Sequence, residues 1–207
     1  MKKRGVIPSI ILKDPTIGPL AKKHGLPKHK RRTSPFQSLV HSIIYQQISG
    51  KAAESILKRC LALFDPTKGE FPSPQEVVTM PEERFREAGV SPQKITYLKD
   101  LARTFIEDDV SHATFSKMTN EEIITRLTKV KGIGLWTVQM FLIFTLRRPD
   151  VLPVGDLAIQ KGFKIVYGMK KLPALRTMER LAKPWREHAS LASLYLWKEA
   201  DEQKKKK

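Results

Sequence analysis

Apolar residues recur every three or four positions over much of the chain, which is the spacing of helices with one buried face. The first such run contains Phe36, Leu39, Val40, Ile43 and Ile44, and a second run after Gly50 contains Ala53, Ile56, Leu57, Leu61 and Phe64. The pattern predicts two consecutive helices joined by a turn at Ser49-Gly50.

Helix-start signals mark several further elements. Ser73 and Ser91 are each followed by proline, which puts a capping residue and a first-turn residue in the expected order. Thr119 and Glu122 have capping-box spacing, and a helix to about residue 128 is predicted from there. Strand-like alternation is almost absent, so the sequence predicts an all-α fold.

Charge and cysteine content narrow the function classes. The chain has 207 residues, with 38 Lys and Arg against 21 Asp and Glu, a formal net charge of +17. Such a balance favours a polyanionic partner, because basic side chains that bind phosphates release counterions. The single cysteine, Cys60, excludes an intramolecular disulfide, a four-cysteine iron-sulfur cluster and a cysteine zinc site.

The most informative stretch is residues 127–137, LTKVKGIGLWT, in which two glycines bracket one apolar residue between two helical runs. Glycines let the backbone turn and approach another molecule closely. Amides at the start of the second helix can then bind a phosphate, with Ile133 folded inward. The residues that form this candidate DNA-backbone hairpin are Val130, Lys131, Gly132, Ile133, Gly134 and Thr137. Taken alone, the motif also fits an ordinary helix connection.

The hairpin is followed by RPDVLPVGDLAI at residues 148–159, a loop rich in glycine and proline that ends at Asp156. This order resembles the helix-hairpin-helix superfamily of DNA glycosylases, and within it the 3-methyladenine glycosylase II branch. Further segments fit that branch: YQQISGKAA at 45–53, the pattern of Gly89, Ser91, Lys94, Tyr97 and Leu98, PWR at 184–186, and YLW at 195–197. The resemblance spans about residues 34 to 199.

The resemblance implies that Asp156 is the catalytic carboxylate. Cleavage of a bond between a base and deoxyribose passes through an oxocarbenium-like state. A nearby carboxylate can stabilise the positive charge of this state or can orient the water that attacks the sugar. An alkylated purine is already cationic and leaves without a separate general acid. From the local sequence alone, Asp156 also fits a cap of the helix that begins at Leu157, and both roles can hold together.

Position 136 bears on whether the enzyme also cuts the DNA strand. Superfamily members with lyase activity carry a lysine in the hairpin helix that forms a Schiff base with the sugar. This chain has Trp136 at the matching place, and Lys131 falls on the phosphate-facing turn. The resemblance therefore implies a monofunctional glycosylase that leaves an abasic site.

An enzyme that acts on a base in duplex DNA must flip the base out and fill the gap. By resemblance, the turn between the first two core helices supplies this wedge, with Ile48 as the inserted residue and Gln47 or Ser49 beside it. Some relatives use a histidine where this chain has Ser49, so the choice between Ile48 and Ser49 stays open. Ile48 also fits a buried residue at a helix end.

A cationic methylated base is attracted to electron-rich aromatic faces. By resemblance, the base pocket contains Ser91, Trp136, Met140, Phe144, Leu157 and Trp197. Met140 and Leu157 stand where the branch can have tyrosines, which suggests a narrower substrate range. Each tryptophan also fits an ordinary core position.

The implied fold has two helical lobes with a DNA cleft between them. One lobe would span residues 36–133 and the other residues 134–207, including a basic tail, with the basic N-terminal segment 1–33 packed on the second lobe. The resemblance implies a monomer that binds double-stranded DNA containing alkylated bases, needs no cofactor or catalytic metal, and holds a structural monovalent cation at the hairpin.

No apolar run approaches the ~18 residues that a membrane helix needs, so we expect no membrane partner. Because the single cysteine excludes an intramolecular disulfide, we expect an intracellular, DNA-associated protein, in a bacterial cytoplasm or a eukaryotic nucleus. Two other functions fit the sequence. One is a non-catalytic helix-hairpin-helix protein that grips the DNA backbone. The other is a monofunctional glycosylase for another damaged base, such as an oxidised or mismatched one.

Overall fold

The computed structural model describes residues 6–27, 34–64, 71–108 and 110–205. The regular elements in these ranges are all helices, which confirms the all-α prediction. Residues 1–5, 28–33 and 206–207, which hold much of the basic N-terminal segment and the end of the basic tail, lie outside the described residues. No helix in the described ranges is both long and apolar enough to cross a membrane.

The chain divides into two compact units. We call the described residues of 32–146 the central unit, and those of 1–31 and 147–207 the terminal unit.

The described residues of the central unit form eight α-helices and one π-helical turn. Its helices are α3 (Pro35–Tyr45), α4 (Gly50–Leu61), α5 (Pro74–Thr79), α6 (Glu82–Glu87), α7 (Pro92–Glu107), α8 (His112–Ser116), α9 (Asn120–Leu127) and α10 (Leu135–Phe141), the last continuing as a π-helical turn at Leu142–Leu146. Ser73 and Thr119 form the reciprocal capping boxes of α5 and α9, and Ser91 caps α7. These contacts confirm the helix starts predicted from the three residues. The starts could be predicted because a capping side chain bonds to a backbone group only a few residues away in sequence.

The terminal unit joins helices from both ends of the chain. They are α1 (Ser9–Lys13), α2 (Ile17–His24), α11 (Leu157–Val166), α12 (Leu175–Ala182), a 3₁₀ turn at Lys183–His188, and α13 (Ala189–Lys205). The Tyr195 hydroxyl of α13 donates to the Gly25 carbonyl at 3.1 Å, and Lys23 of α2 pairs with Glu199 at 2.6 Å. Trp185 lies in this unit's core with 1% of its surface exposed.

The boundary between the units lies after residue 146, not after residue 133 as the sequence suggested. The hairpin helix α10 belongs to the central unit because its apolar face is buried there. Phe141 packs edge-on against Phe115, with ring centroids 5.2 Å apart. Thr145 in the π-helical turn then shares a short hydrogen bond with Ser38 of α3. Packing therefore continues past the hairpin, where local sequence had indicated a break.

A glycine brings α11 and α13 together in the terminal unit. A Cβ on Gly162 would come within 2.5 Å of the Leu196 carbonyl oxygen, so only glycine permits this approach of the two helices. The close contact sets the distance between the start of α11 and the side chains that follow Leu196.

Candidate active site

Asp156 is the N-cap of α11, and one oxygen of its carboxylate is held from two directions. Oδ1 accepts a hydrogen bond from the Ile159 amide at 2.9 Å and another from the Trp197 indole Nε1 at 3.0 Å. Its backbone amide donates to Pro153 at 2.9 Å. The capping role expected from the sequence is confirmed. Because the amide and the indole fix the carboxylate, its orientation is set before any ligand binds.

The loop that leads to Asp156 is fixed to the start of α13 by Ser190. The Ser190 hydroxyl donates to the Arg148 carbonyl at 2.6 Å and accepts from the Val151 amide at 3.1 Å. The Ser190 amide donates to Pro149 at 2.8 Å. Three bonds from one buried residue thus hold a loop that would otherwise be free to move, and they limit the positions that Asp156 can take.

Two predicted pocket residues accompany Asp156 in the terminal unit. Leu157, the first residue of α11, is 53% exposed. Trp197 is partly buried and reaches the carboxylate because α11 and α13 touch at Gly162. The sequence predicted Trp197 as an aromatic surface for the base, and its indole N–H also has a direct role in holding Asp156.

The hairpin turn, residues 128–134, connects α9 and α10 in the central unit. Val130 and Ile133 are each 3% exposed, so their side chains anchor the turn in the core, as expected for Ile133. Gly132 has a φ of 80°, and its Cα touches the ring of Tyr97, leaving no room for a Cβ. Gly134 caps α10 and borders open space.

Some polar groups at the hairpin turn are bonded or buried within the protein, and others are exposed to solvent. The Lys131 amide donates to the Asp100 carboxylate at 2.8 Å, and the Lys131 side chain is exposed to solvent. Thr137, one turn into α10, is 7% exposed. The turn is therefore rigid on its inner side and presents a cation and an approachable glycine on its outer side, which suits a phosphate ligand.

The wedge turn, residues 46–49, connects α3 and α4. Ile48 is 38% exposed, so it is not the buried helix-end residue that the sequence also allowed. Ser49 caps α4 by accepting from the Ala52 amide at 3.4 Å. Gln47 has a φ of 58°, in the left-handed region that a residue with a side chain rarely adopts. A strained turn that exposes an apolar side chain is typical of a functional segment.

The remaining pocket candidates lie in the central unit. Trp136 and Phe144 are 54% and 51% exposed, and Met140 between them is partly buried. The spacing of four residues puts Trp136 and Met140 on one face of α10, and Phe144 lies in the π-helical turn. Ser91 is exposed and uses its hydroxyl to cap α7, at 3.4 Å from the Lys94 amide. Leu157 and Trp197 thus lie with Asp156 in the terminal unit. The other pocket candidates lie with the hairpin turn in the central unit.

Sequence reasoning missed the groups that hold these residues in place. Ser190 and Tyr97 act through backbone contacts that depend on the tertiary fold. Tyr97 was noted as part of a family pattern, with no role assigned to it. The left-handed conformation of Gln47 could not be predicted from the sequence, because glycine or asparagine is the usual residue in that conformation.

The structure contains the helix-hairpin-helix, the fixed loop and the capping aspartate in the order that the resemblance to DNA glycosylases implied. Residues 40–187 match the model of the HhH-GPD superfamily base excision DNA repair proteins, and the chain belongs to this superfamily.

Several relatives of the chain are 3-methyladenine glycosylases by name. DNA-3-methyladenine glycosylase 1 of Schizosaccharomyces pombe is 35% identical over 168 residues, which cover 81% of this chain and 73% of the relative. The crystal structure of a DNA-3-methyladenine glycosidase from Bacillus halodurans has a TM-score of 0.85 at 33% identity, and the match covers 95% of this chain and 89% of that one.

The S. pombe glycosylase Mag1 in complex with abasic DNA has a TM-score of 0.78 at 32% identity, covering 93% of this chain and 95% of that one. These likenesses confirm the helix-hairpin-helix glycosylase fold and the branch inferred from the sequence.

Proposed function

We propose that this protein is a DNA glycosylase that flips alkylated purines, of the 3-methyladenine and 7-methylguanine type, out of double-stranded DNA and hydrolyses their N-glycosidic bond. The observation that carries the proposal is the Asp156 carboxylate, fixed at Oδ1 by the Ile159 amide and the Trp197 indole. The relatives named above act, by their names, on 3-methyladenine in DNA, which supports the same substrate class here.

In the proposed reaction, the bond between C1′ and the base nitrogen breaks and its electron pair leaves with the base. The cationic base thereby becomes neutral, so no proton need be donated to it. Asp156 stabilises the positive charge that develops on the sugar, and water adds to C1′ and loses a proton. The products are a free base and an abasic site.

The proposed enzyme has no lyase activity. Strand cleavage by a glycosylase of this superfamily needs an amine that attacks C1′, and the position that resembles the lysine of lyases is Trp136. The exposed indole of Trp136 would instead offer a π face to a cationic base. The shared role of the six pocket candidates remains a prediction from the sequence.

Binding of duplex DNA would use the hairpin turn for a phosphate and Ile48 as the wedge. The proposed protein is a monomer that acts on DNA in the compartment where the genome lies, and it needs no organic cofactor or catalytic metal. A monovalent cation would bind backbone carbonyls of the hairpin turn. The Val130 and Gly132 carbonyls each accept a hydrogen bond, and a carbonyl has a second lone pair for such a ligand.

The experiment that tests the proposal measures release of free base from methylated duplex DNA, with abasic sites and strand breaks scored separately. We expect release of 3-methyladenine and 7-methylguanine, with abasic sites and without enzymatic strand breaks. Strand breaks that accompany base release and are trapped by borohydride would contradict the monofunctional mechanism. No release by folded protein that still binds DNA would support a non-catalytic binding protein, and release of only an oxidised or mismatched base would support a different lesion.

A further inference from the structure

We propose that α7 couples the wedge turn to the hairpin turn, with Lys94 and Gln46 as positioning residues that hold Ile48 in place when the hairpin binds the DNA backbone. The inference rests on the proposed function, because the wedge and the backbone grip belong to it. All the contacts that support the coupling lie within the central unit.

Lys94 anchors the wedge turn from α7. Its ammonium donates to the Ile44 carbonyl at 2.7 Å and to the Gln46 carbonyl at 2.9 Å. These carbonyls lie at the C-terminal end of α3, where the helix has no backbone donors left and its dipole favours a cation. Desolvation lowers the pKa of Lys94, as expected for an ammonium partly withdrawn from water against backbone.

Gln46 joins the wedge turn directly to the hairpin turn. Its side-chain amide donates to the Gly132 carbonyl at 2.8 Å, across 86 positions of sequence. Gln46 is the C-cap of α3 and immediately precedes the left-handed Gln47. One residue therefore has its backbone carbonyl held by Lys94 and its side chain bonded to the hairpin.

α7 also contacts the hairpin turn. The ring of Tyr97 packs on Gly132, and the Asp100 carboxylate accepts from the Lys131 amide at 2.8 Å. Lys94, Tyr97 and Asp100 are three residues apart and so form one stripe along α7. This single helix face thus contacts the wedge turn at one end and the hairpin turn at the other.

The wedge turn needs such support because it is strained. The left-handed conformation of Gln47 is less favourable than the right-handed one and persists only where surrounding contacts impose it. Lys94 supplies such contacts from α7, and the Gln46 side chain bonds the wedge turn to Gly132 of the hairpin turn, which would bind the phosphate. Without them, we expect the hairpin to bind DNA while Ile48 no longer inserts reliably.

The test uses Gln46→Met and Lys94→Met, which remove the polar contacts and keep much of the side-chain length. Substrates are a duplex with one 7-methylguanine opposite cytosine, and the same lesion opposite an abasic-site analogue, where little stacking has to be broken. On the paired duplex, we expect each variant to lose excision rate by about tenfold to a hundredfold. On the unpaired substrate, the loss should be less than about threefold, because flipping is no longer the difficult step.

Lys99→Met is the matched control. Lys99 lies on the same helix and also donates to a carbonyl, that of Val78 at 3.3 Å, so its loss removes the same charge and a bond of the same kind without touching either turn. We expect its excision rates on both substrates to equal those of the wild type.

A second measurement does not depend on base release. A 2-aminopurine placed beside an abasic-site analogue becomes fluorescent when the wedge unstacks it. Wild type and Lys99→Met should raise the fluorescence on binding, whereas Gln46→Met should bind with similar affinity and raise it much less. In an Ile48→Ala background, Gln46→Met should cause almost no further loss, since the two residues act on the same step.

Equal losses on the two substrates or full additivity with Ile48→Ala would each overturn the coupling. So would a rise in 2-aminopurine fluorescence on binding of Gln46→Met that equals the rise with the wild type. Failure of the wild type to release 7-methylguanine would instead contradict the proposed function, and the fluorescence measurement would still decide whether the two turns are coupled.

Discussion

Asp156 caps α11 and, in the proposed reaction, faces the sugar with the same carboxylate. The cap bond from the Ile159 amide and the bond from the Trp197 indole both end on Oδ1, so both orient the carboxylate. A carboxylate oriented in this way does not have to reorganise as charge develops on the sugar, and that is the main source of electrostatic catalysis. At the residue scale, positioning of Asp156 is therefore the feature to test.

Trp197→Phe keeps an aromatic ring and removes the indole N–H that donates to Asp156. A hydrogen bond to a charged group contributes about 1.5–3 kcal/mol, so kcat should fall by about tenfold or more. KM should change little, because the ring that would contact the base remains. Steady-state kinetics with 7-methylguanine duplexes in excess measure both constants.

Tyr195→Phe is the control for Trp197→Phe, since it removes one hydrogen bond from the same helix, the one to the Gly25 carbonyl. We expect Tyr195→Phe to lower the midpoint of thermal unfolding slightly and to leave kcat unchanged. A fall in kcat as large as that of Trp197→Phe would show that loosening α13, and not losing the bond to Asp156, causes the effect.

The local sequence predicted that Asp156 caps α11, and the resemblance to helix-hairpin-helix glycosylases, in which a hairpin and a Gly/Pro-rich loop precede an aspartate, implied its catalytic role. The sequence could not reveal the bond from Trp197, which lies 41 positions away and depends on the close contact of Gly162 with Leu196. Ser190 was missed for the same reason, because its partners are backbone atoms of a distant loop.

At the scale of elements, the hairpin turn is held in the core by two buried side chains, Val130 and Ile133. Its conformation depends on Gly132, which has a φ of 80° and lies against the ring of Tyr97. A side chain at this position would be strained and would also displace the ring, so the turn would have to move.

Gly132→Ala should therefore lower the free energy of unfolding by about 1–3 kcal/mol, and it should weaken DNA binding because the amides of the turn are displaced. Chemical denaturation and fluorescence anisotropy measure the two effects.

Gly168→Ala is the matched control, since Gly168 also has a positive φ, 62°, but no atom lies within 4 Å of its Cβ position. This variant should lose about 1–2 kcal/mol of stability from the backbone alone and should bind DNA normally. Normal DNA binding by Gly132→Ala would contradict the assignment of this turn as the backbone grip.

The starts of α5, α7 and α9 could be predicted, because Ser73, Ser91 and Thr119 cap these helices through neighbours in sequence. The π-helical turn at Leu142–Leu146 could not, since nothing in its composition distinguishes it from a continued α-helix. The boundary between the units was placed too early for a related reason. The periodic pattern marks where the hairpin turns, but tertiary packing decides which core α10 joins.

At the scale of the whole molecule, we expect the net charge of +17 to dominate the interaction with DNA. Affinity for duplex DNA should fall steeply with salt, because each phosphate contact releases counterions. Lys131, exposed on the hairpin turn, is one such contact in the proposed complex.

Lys131→Ala should weaken binding to all duplex sequences alike and reduce the slope of log affinity against log salt by about 0.9. Lys117→Ala, the control, removes the same charge from a groove that is also lined by Glu107 and Glu121, and it should leave the slope unchanged. An unchanged slope in Lys131→Ala would contradict the phosphate contact.

The central claim is that Asp156 performs the chemistry, and the most direct test compares base release by the wild type with that by Asp156→Asn. Asparagine is a good N-cap, so the variant should fold and bind DNA normally. It lacks the negative charge that would stabilise the developing cation. We expect release of 3-methyladenine from methylated duplex DNA to fall by about a hundredfold or more at unchanged DNA affinity. Release at the wild-type rate by Asp156→Asn would contradict the account.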